Sequence, residues 1–470
     1  MKNRFTSALT PLIAALVLAG CASTATFTPS AAPVAPAAFK EADGRWAQAA
    51  PAEAQARGPW WAVFGDPVLD GLIARADANN TSIQLAAARL TQARALLRSA
   101  DADRAPQIGV GAGASRGNLL TPGVATPVTV LSAGASASWE PDLFGRLAKA
   151  SNAASLDAQA REALLQSTRL VVQSDVAQTY FVLRALDDER ALVRETVAAY
   201  GDTLRLTERR YAAGDVAELD LARVQTEVAA TQSQALALDR RRAQLEHALA
   251  VLLGELPSSF TLAEAQWRGS LPSVPPGIPS TVLTRRPDVS AAQSAMLAAQ
   301  ARVGVARTAW FPNVALTANG GFASTDLGDL FKWSARSWGI GALLSLPLFD
   351  GGRREAGVQN ANGAWDAAAA SYREQVLVAF QDVEDQLAAL RLLSDQAGAQ
   401  TQAVDAAARA TVLSNSRYRN GLVSQLEFLD ARRSVLTNRR QAVQVRAAQY
   451  QATVGLIRAL GGGWTGAAPT

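Results

Sequence analysis

Two stretches of this 470-residue chain repeat each other at a constant offset of 207 residues. The first reads Ser138-Trp139-Glu140-Pro141-Asp142-Leu143-Phe144-Gly145-Arg146, then Arg210-Tyr211-Ala212-Ala213-Gly214. The second reads Ser345-Leu346-Pro347-Leu348-Phe349-Asp350-Gly351-Gly352-Arg353, then Arg417-Tyr418-Arg419-Asn420-Gly421. Leu219/Leu426, Leu249/Leu456, Leu253/Leu460 and Gly254/Gly461 keep the same spacing. A repeat this long means that one supersecondary unit was duplicated, so any function must use a pseudo-symmetric protomer of two units. The expected division is 60–254 for repeat one, 255–284 for the connection and 285–464 for repeat two, with 465–470 as a tail.

Proline placement shows where long helices fit. None of the 20 prolines lies between Pro141 and Pro257, or between Pro347 and Pro469. Proline breaks helix interiors, so these gaps permit very long helices. They are rich in Ala, Leu, Gln, Arg and Glu, which are strong helix formers. Val193, Val197, Tyr200, Leu204 and Tyr211 step by four, three, four and seven residues, the spacing of a coiled-coil seam. The expected helices run Arg146–Tyr211, Val216–Leu253, Arg353–Tyr418 and Val423–Leu460, with Gly214 and Gly421 turning the chain. The second seam carries Gln400, Thr411 and Ser414 where apolar residues are expected. That pattern fits either a loosely packed coil or a face that lines water.

A different texture precedes each long helix. Residues 107–114 and 131–139 are small, Gly-rich and roughly alternating, with Thr121-Pro122-Gly123 as a turn between them. Residues 313–320 and 338–345 are their counterparts. Each is near the length of a tilted strand that crosses an outer membrane. Trp139, Trp310, Phe311, Trp333 and Trp338 stand at the ends of these segments, as an interfacial girdle would. Four strands cannot close a barrel, and open edges are not tolerated in lipid. Three copies supply 12. The competing reading is a soluble hairpin packed on a core.

At the N-terminus, Lys2 and Arg4 precede an apolar run that ends Leu18-Ala19-Gly20-Cys21. This is a secretory signal over 1–20, and its end resembles a bacterial lipobox. Cys21 is the only cysteine, which points to lipid attachment rather than to disulfide or catalytic chemistry, the plainer reading being a chance cysteine in an ordinary signal peptide. Ala22 in place of Asp points to the outer membrane by the sorting rule of bacterial lipoproteins. Residues 21–59 read as a lipid-anchored, extended segment. Without residues 1–20 the chain holds 43 basic and 41 acidic residues, so nothing suggests nucleic acid. One histidine, His247, and no nucleophile–base pair, metal-ligand spacing or phosphate loop argue against an enzyme, a metal site or a cofactor.

On the motifs at 138–146, Arg285-Arg286-Pro287-Asp288-Val289, 346–353 and Ala459-Leu460-Gly461-Gly462-Gly463-Trp464, the chain resembles the outer-membrane efflux protein family, the TolC/OprM-like exit ducts. It is similar to their lipoprotein, NodT-type branch, which serves tripartite resistance-nodulation-division pumps. The resemblance covers nearly all of the mature chain. It implies a mainly α fold with a small β part: a homotrimer whose long coiled-coil helices form a periplasmic tunnel below a 12-strand barrel. It also implies a periplasmic adaptor and an inner-membrane pump as partners, and an outer-membrane lipid anchor through acylated Cys21. The cargo would be small molecules such as drugs. A type I secretion duct, or a purely structural coiled-coil lipoprotein, is the alternative.

The resemblance carries site residues with it. Pro141, Asp142, Gly145, Pro347, Gly351 and Gly352 would form the turns between strands and helices. The helix–helix turns would be the adaptor-docking tips, with Arg210, Gly214, Arg417, Gly421, Leu422 and Ser424. The periplasmic gate would be a ring of Leu426 and a ring of Asp430, which share one helix face at i and i+4. Two plainer readings stand beside these: helix C-caps for the glycines, and a solvated acid paired with Arg433 for Asp430. Repeat one has Arg223 in place of Asp430, and Asp215-Val216-Ala217 in place of Leu422-Val423-Ser424.

Overall fold

The computed structural model describes residues 39–41, 58–118, 127–267, 269–272, 274 and 285–462. Cys21 and the signal segment, the turn at 121–123, Pro275, Pro276, Pro279 and the tail lie outside the described residues. In order, the elements are α1 (Pro67–Asn79), α2 (Thr81–Ala102), β1 (Gln107–Asn118), β2 (Pro127–Trp139), α3 (Arg146–Ala212), α4 (Glu218–Leu252), α5 (Pro287–Thr308), β3 (Asn313–Ser324), β4 (Arg336–Ser345), α6 (Arg353–Arg419) and α7 (Gln425–Ala459). Among the described residues the chain is mainly α with one small antiparallel sheet, as expected. It divides into two compact units, one of 89–162 with 291–374, the other of 34–88 with 163–290 and 375–470.

The long helices of the two repeats match in length. Helices α3 and α6 have 67 residues each, and α4 and α7 have 35 each. A 67-residue helix rises roughly 100 Å at 1.5 Å per residue. The long helices end within two residues of the expected bounds. Helices α2 and α5, 22 residues each, also stand near the 207-residue offset and extend the repeat beyond the motifs read from the sequence.

Local chemistry explains where the helices start. Asp142 accepts hydrogen bonds from the amides of Leu147 and Ala148 at 3.0 and 2.7 Å, which caps α3. Asp350 does the same for α6 through Gly352 and Arg354, both at 3.1 Å. A side-chain acceptor there satisfies amides that have no partner in the first turn. Gly145, Gly351 and Gly352 hold φ of 72°, 64° and 89° in these turns. Arg146 pairs with Glu140 at 2.7 Å.

In the first unit the sheet order is β1-β2-β3-β4, antiparallel throughout. The β2–β3 ladder, with Gly134 opposite Gly321, joins the hairpin of repeat one to that of repeat two. Beside the sheet, Ser151 donates to Asp101 at 2.5 Å, and Arg302 pairs with Asp157.

In the second unit α3, α4 and α7 pack along the expected seam. Val193 and Tyr200 are buried, with Val197 and Leu204 beside them, while Tyr211 is exposed. The polar residues of the second seam are half-buried and hydrogen-bond across it. Gln400 donates to the Asn438 carbonyl at 3.0 Å, Thr411 to the Ala431 carbonyl at 3.0 Å, and Ser414 to the Glu427 carbonyl at 3.5 Å. They join α6 to α7 through backbone acceptors, a polar substitute for apolar packing.

Arginines pin the described residues that follow α4. Arg242 binds the Leu262 carbonyl at 2.6 Å and Asp187 at 2.8 Å. Arg184 holds the Ala263 carbonyl at 2.8 Å, and Arg446 the Gly269 carbonyl at 2.7 Å. Arg190 joins Asp239 at 2.5 Å and Glu264 at 2.9 Å. Partial burial pushes the Asp239 and Glu264 carboxyls up, but hydrogen bonds from Arg190 and the charges of Arg190 and Arg194 outweigh it and hold both below their ordinary values. Part of the N-terminal segment is fastened as well. Phe39 is buried, the Lys40 and Glu41 amides donate to Glu384, and Glu41 pairs with Arg391 at 2.6 Å.

Candidate functional site

Cross-strand partners share a face, so the register sorts every strand residue. One face carries Ile108, Val110, Leu131, Ala133, Ala135, Ala137, Trp139, Val314, Leu316, Ala318, Phe322, Trp338, Ile340 and Leu344. The other is small or polar, with Gly109, Gly111, Gly113, Ser132, Ser136, Ser138, Thr317, Asn319, Ser337, Gly339 and Gly341; Val128, Val130 and Leu343 are its large apolar members. The apolar face is bare: Ile108 is 78 % exposed, Val110 88 %, Ile340 80 %. A sheet packed on a soluble core would cover that face, so the soluble-hairpin reading fails. Strand β1 and strand β4 each leave one edge unpaired among the described residues.

The five expected girdle aromatics fall into two groups. Trp139, Trp310 and Phe311 stand where the strands meet the helices; Phe311 stacks on Phe144 at 4.9 Å, and Arg354 lies over Trp310 at 4.6 Å. Trp333 and Trp338 stand at the hairpin end with Phe322 and Phe331, whose rings lie 5.7 Å apart. Aromatic belts at both levels of an apolar band are the signature of a membrane-spanning barrel.

The helix–helix turns are built alike. The Asp215 amide donates to the Arg210 carbonyl at 2.8 Å and the Gly214 amide to the Tyr211 carbonyl at 2.9 Å. Leu422 to Arg417 at 2.9 Å and Gly421 to Tyr418 at 3.0 Å repeat the pattern. This is the Schellman closure, and it places a left-handed residue at the glycine. Gly214 and Gly421 have φ of 80° and 72°. The repeated Arg-Tyr-x-x-Gly is therefore first of all a helix stop.

After the turn the halves differ. Ser424 caps α7, its hydroxyl accepting from the Glu427 amide at 3.3 Å. Ala217, its counterpart, offers no side-chain cap to α4. Leu422 is 67 % exposed and Leu426 38 %. Asp430 lies on the same exposed side of α7, while Gln425, Phe428 and Leu429 are buried on the other. The Asp430 side chain is 58 % exposed and pairs with Arg433 at 3.0 Å, the partner of the plainer reading. Arg433 also reaches Glu227 at 3.2 Å.

Between the two turns run ties that sequence reasoning did not find. Arg210 donates to the Tyr418 hydroxyl at 3.4 Å, Gln425 to the Thr207 hydroxyl at 3.0 Å, and Arg432 to the Ala199 carbonyl at 3.3 Å. Tyr418 stacks on Phe428 at 5.1 Å. Beneath them Tyr200, Val224 and Leu429 form a buried cluster. Burial, with Glu227 second, pushes the Tyr200 hydroxyl up to about 12. The ties connect residues more than 200 positions apart, which no local spacing rule can reach; the 207-residue offset between Arg210-Tyr211 and Arg417-Tyr418 was the one available signal.

The family model for the outer membrane efflux protein matches the chain twice, over residues 72–255 and 278–462. The chain belongs to the outer membrane efflux protein family. The two matched segments stand at the offset of the repeated motifs, within one residue. The cation efflux system protein CusC of Escherichia coli is 33% identical over 97% of this chain and 98% of its own length. The solvent efflux pump outer membrane protein SrpC of Pseudomonas putida is 33% identical over 97% of this chain and 98% of its own length. The solved outer-membrane channel OprN superposes with a TM-score of 0.86 at 30% identity, covering 93% of this chain and 98% of that one. This efflux protein is thus an outer-membrane exit duct, with the helical-tunnel and β-barrel fold of its relatives.

Proposed function

We propose that three copies of this efflux protein close their sheets into one 12-strand barrel, with the apolar face in lipid and the small, polar face around the lumen. The observation that carries this reading is the bare apolar face bounded by two unpaired edges, β1 and β4. Pairing β1 of one copy with β4 of the next removes every edge, which lipid requires. The tips at Gly214 and Gly421 meet a periplasmic adaptor, which links the duct to an inner-membrane pump of the resistance-nodulation-division type. Cargo is small molecules, and the duct does no chemistry on them. Relatives named for cation and for solvent efflux are equally similar to this chain, so cargo choice rests with the partner pump.

Acylated Cys21 adds a lipid anchor. The test uses the full chain expressed in an outer membrane. Wild type should run as a heat-sensitive trimer and carry small, cation-preferring currents in planar bilayers. Cys21→Ser should lose lipid labelling and keep part of its trimer, because the barrel also holds it in the membrane. Absence of any trimer in wild type would refute the barrel, and complete loss in Cys21→Ser would refute the barrel's independent hold.

Leu426 and Asp430 form the periplasmic gate in this reading. Their exposure on one side of α7 supports it: three copies would present a leucine ring and a carboxylate ring to one axis, and acidic rings favour cations. Docking is read out at Gly421. A Cβ there meets nothing within 4 Å, so a side chain can leave the backbone without a clash. It costs only the left-handed backbone, about 1–2 kcal/mol. Gly421→Trp should therefore lower drug resistance strongly while trimer yield stays near wild type. Collapse of the trimer instead would make this glycine purely structural.

A further inference from the structure

Of the described strand residues two are charged, Arg116 in β1 and Arg336 in β4. Charged residues in a barrel normally face the aqueous lumen, since a cation toward lipid is costly at mid-bilayer and nearly free at the interface. Both arginines instead lie on the apolar face. Arg116 shares it with Ile108, Val110, Ala112 and Ala114, and Arg336 stands opposite Phe322. Both are at the hairpin end, each nine positions from the helix-side end of its strand, at Gln107 and Ser345. Both are exposed.

Nearby acids do not neutralise them. Residues 105–139 contain no Asp or Glu. In the second hairpin Asp329 is taken by Lys332, and Asp326 accepts from the Gly328 amide at 2.8 Å. Arg336 stacks over Trp333 at 4.0 Å, and Trp333, Leu327 and Phe331 are all at least 70 % exposed. Cationic heads beside bare apolar side chains match a molecule that is anionic at one end and acyl at the other. The arginines also occupy the two sheet edges, which trimer closure brings together.

We propose that the β1–β4 seam of the trimer binds the phosphate of the outer leaflet's phosphorylated glycolipid. Arg116 comes from one copy and Arg336 from the next, and the acyl chains lie on the exposed apolar residues beside them. The site rests on the trimeric-barrel reading and adds its ligand. Arginine suits it, because the guanidinium fork binds phosphate oxygens in pairs.

The test exposes detergent-purified trimer to bis-phosphorylated lipid A, to the same lipid A stripped of phosphate, and to phosphatidylglycerol, and reads retained lipid by native mass spectrometry. Wild type should retain bis-phosphorylated lipid A in preference to the other two. R116Q/R336Q should retain about tenfold less, the equivalent of about one charge-assisted contact, and R116K/R336K should recover part of it. Equal retention by R116Q/R336Q, or equal retention of the stripped lipid, overturns the site. Preference for phosphatidylglycerol overturns it too and makes the patch a general anionic-lipid contact. The unheated trimer band separates the two levels: its absence in wild type refutes the barrel, whereas a normal band with unchanged lipid refutes this site alone.

Discussion

Replacing Leu426 and Asp430 together by alanine is expected to raise single-channel conductance several-fold and to make cells sensitive to vancomycin, which the wild-type outer membrane excludes. The expectation rests on where the two side chains lie. Both are exposed on one side of α7, while Gln425, Phe428 and Leu429 hold the other side in the packed interior. Removing them empties the side assigned to the gate and leaves the buried contacts alone. The Asp430–Arg433 pair is exposed, and such pairs contribute only about 0.2–1 kcal/mol. Folding and trimer yield should therefore survive. Unchanged conductance with unchanged vancomycin resistance would place the constriction elsewhere.

Gly321→Val should do the opposite and abolish the barrel. A Cβ at Gly321 would lie 2.4 Å from the Ala133 carbonyl oxygen and 2.6 Å from the Gly134 Cα, both backbone atoms. A side chain can rotate away from a clash and a ladder cannot, so the cost should exceed the roughly 1–3 kcal/mol of ordinary overpacking. The β2–β3 ladder is what joins the two repeats within the sheet. Gly320→Val is the control, because one residue away, on the apolar face, a Cβ meets nothing within 4 Å. The unheated trimer band should vanish in the first variant and persist in the second. A normal band in both would mean that the Gly134–Gly321 register is not the one formed in the membrane.

The long helices were legible because three independent signals agreed: the proline gaps, the seam of Val193, Val197, Tyr200 and Leu204, and the glycine stops. Their ends at Ala212 and Arg419 fall one residue beyond the expected Tyr211 and Tyr418. The strands were legible in position but not in extent. Strand β1 runs on to Asn118 and β3 to Ser324, past Arg116 and a Gly-Gly pair at 320–321 that do not read as strand from the sequence. Helices α1, α2 and α5 were not singled out, although Asp66 before Pro67 is a strong cap and Asp66 does accept from the Val68 and Leu69 amides.

At the candidate site, the shared face of Leu426 and Asp430 could be read from their i, i+4 spacing. The Arg433 pair could be read equally well, and it is present. The partners of Arg210, Gln425 and Arg432 could not be read, since they lie across the repeats. The sorting of the sheet into two faces also needed the register. The sequence 107–114 sets Ile108, Val110, Ala112 and Ala114 against glycines, but which residues of the other strands share that face follows only from the pairing.

The equal lengths of the long helices in the two halves constrain how such a chain can change over time. Strands β2 and β3 are laddered together at one end of α3 and α6. At the other end Arg210 meets Tyr418 and Gln425 meets Thr207. Lengthening α3 alone by two turns would carry Arg210 roughly 10 Å past its partner. An insertion in one half is therefore harmful until the other half gains its match. Lineages of this protein should lengthen or shorten their long helices in pairs, so that comparing the two halves of one gene records its history of paired insertions and deletions.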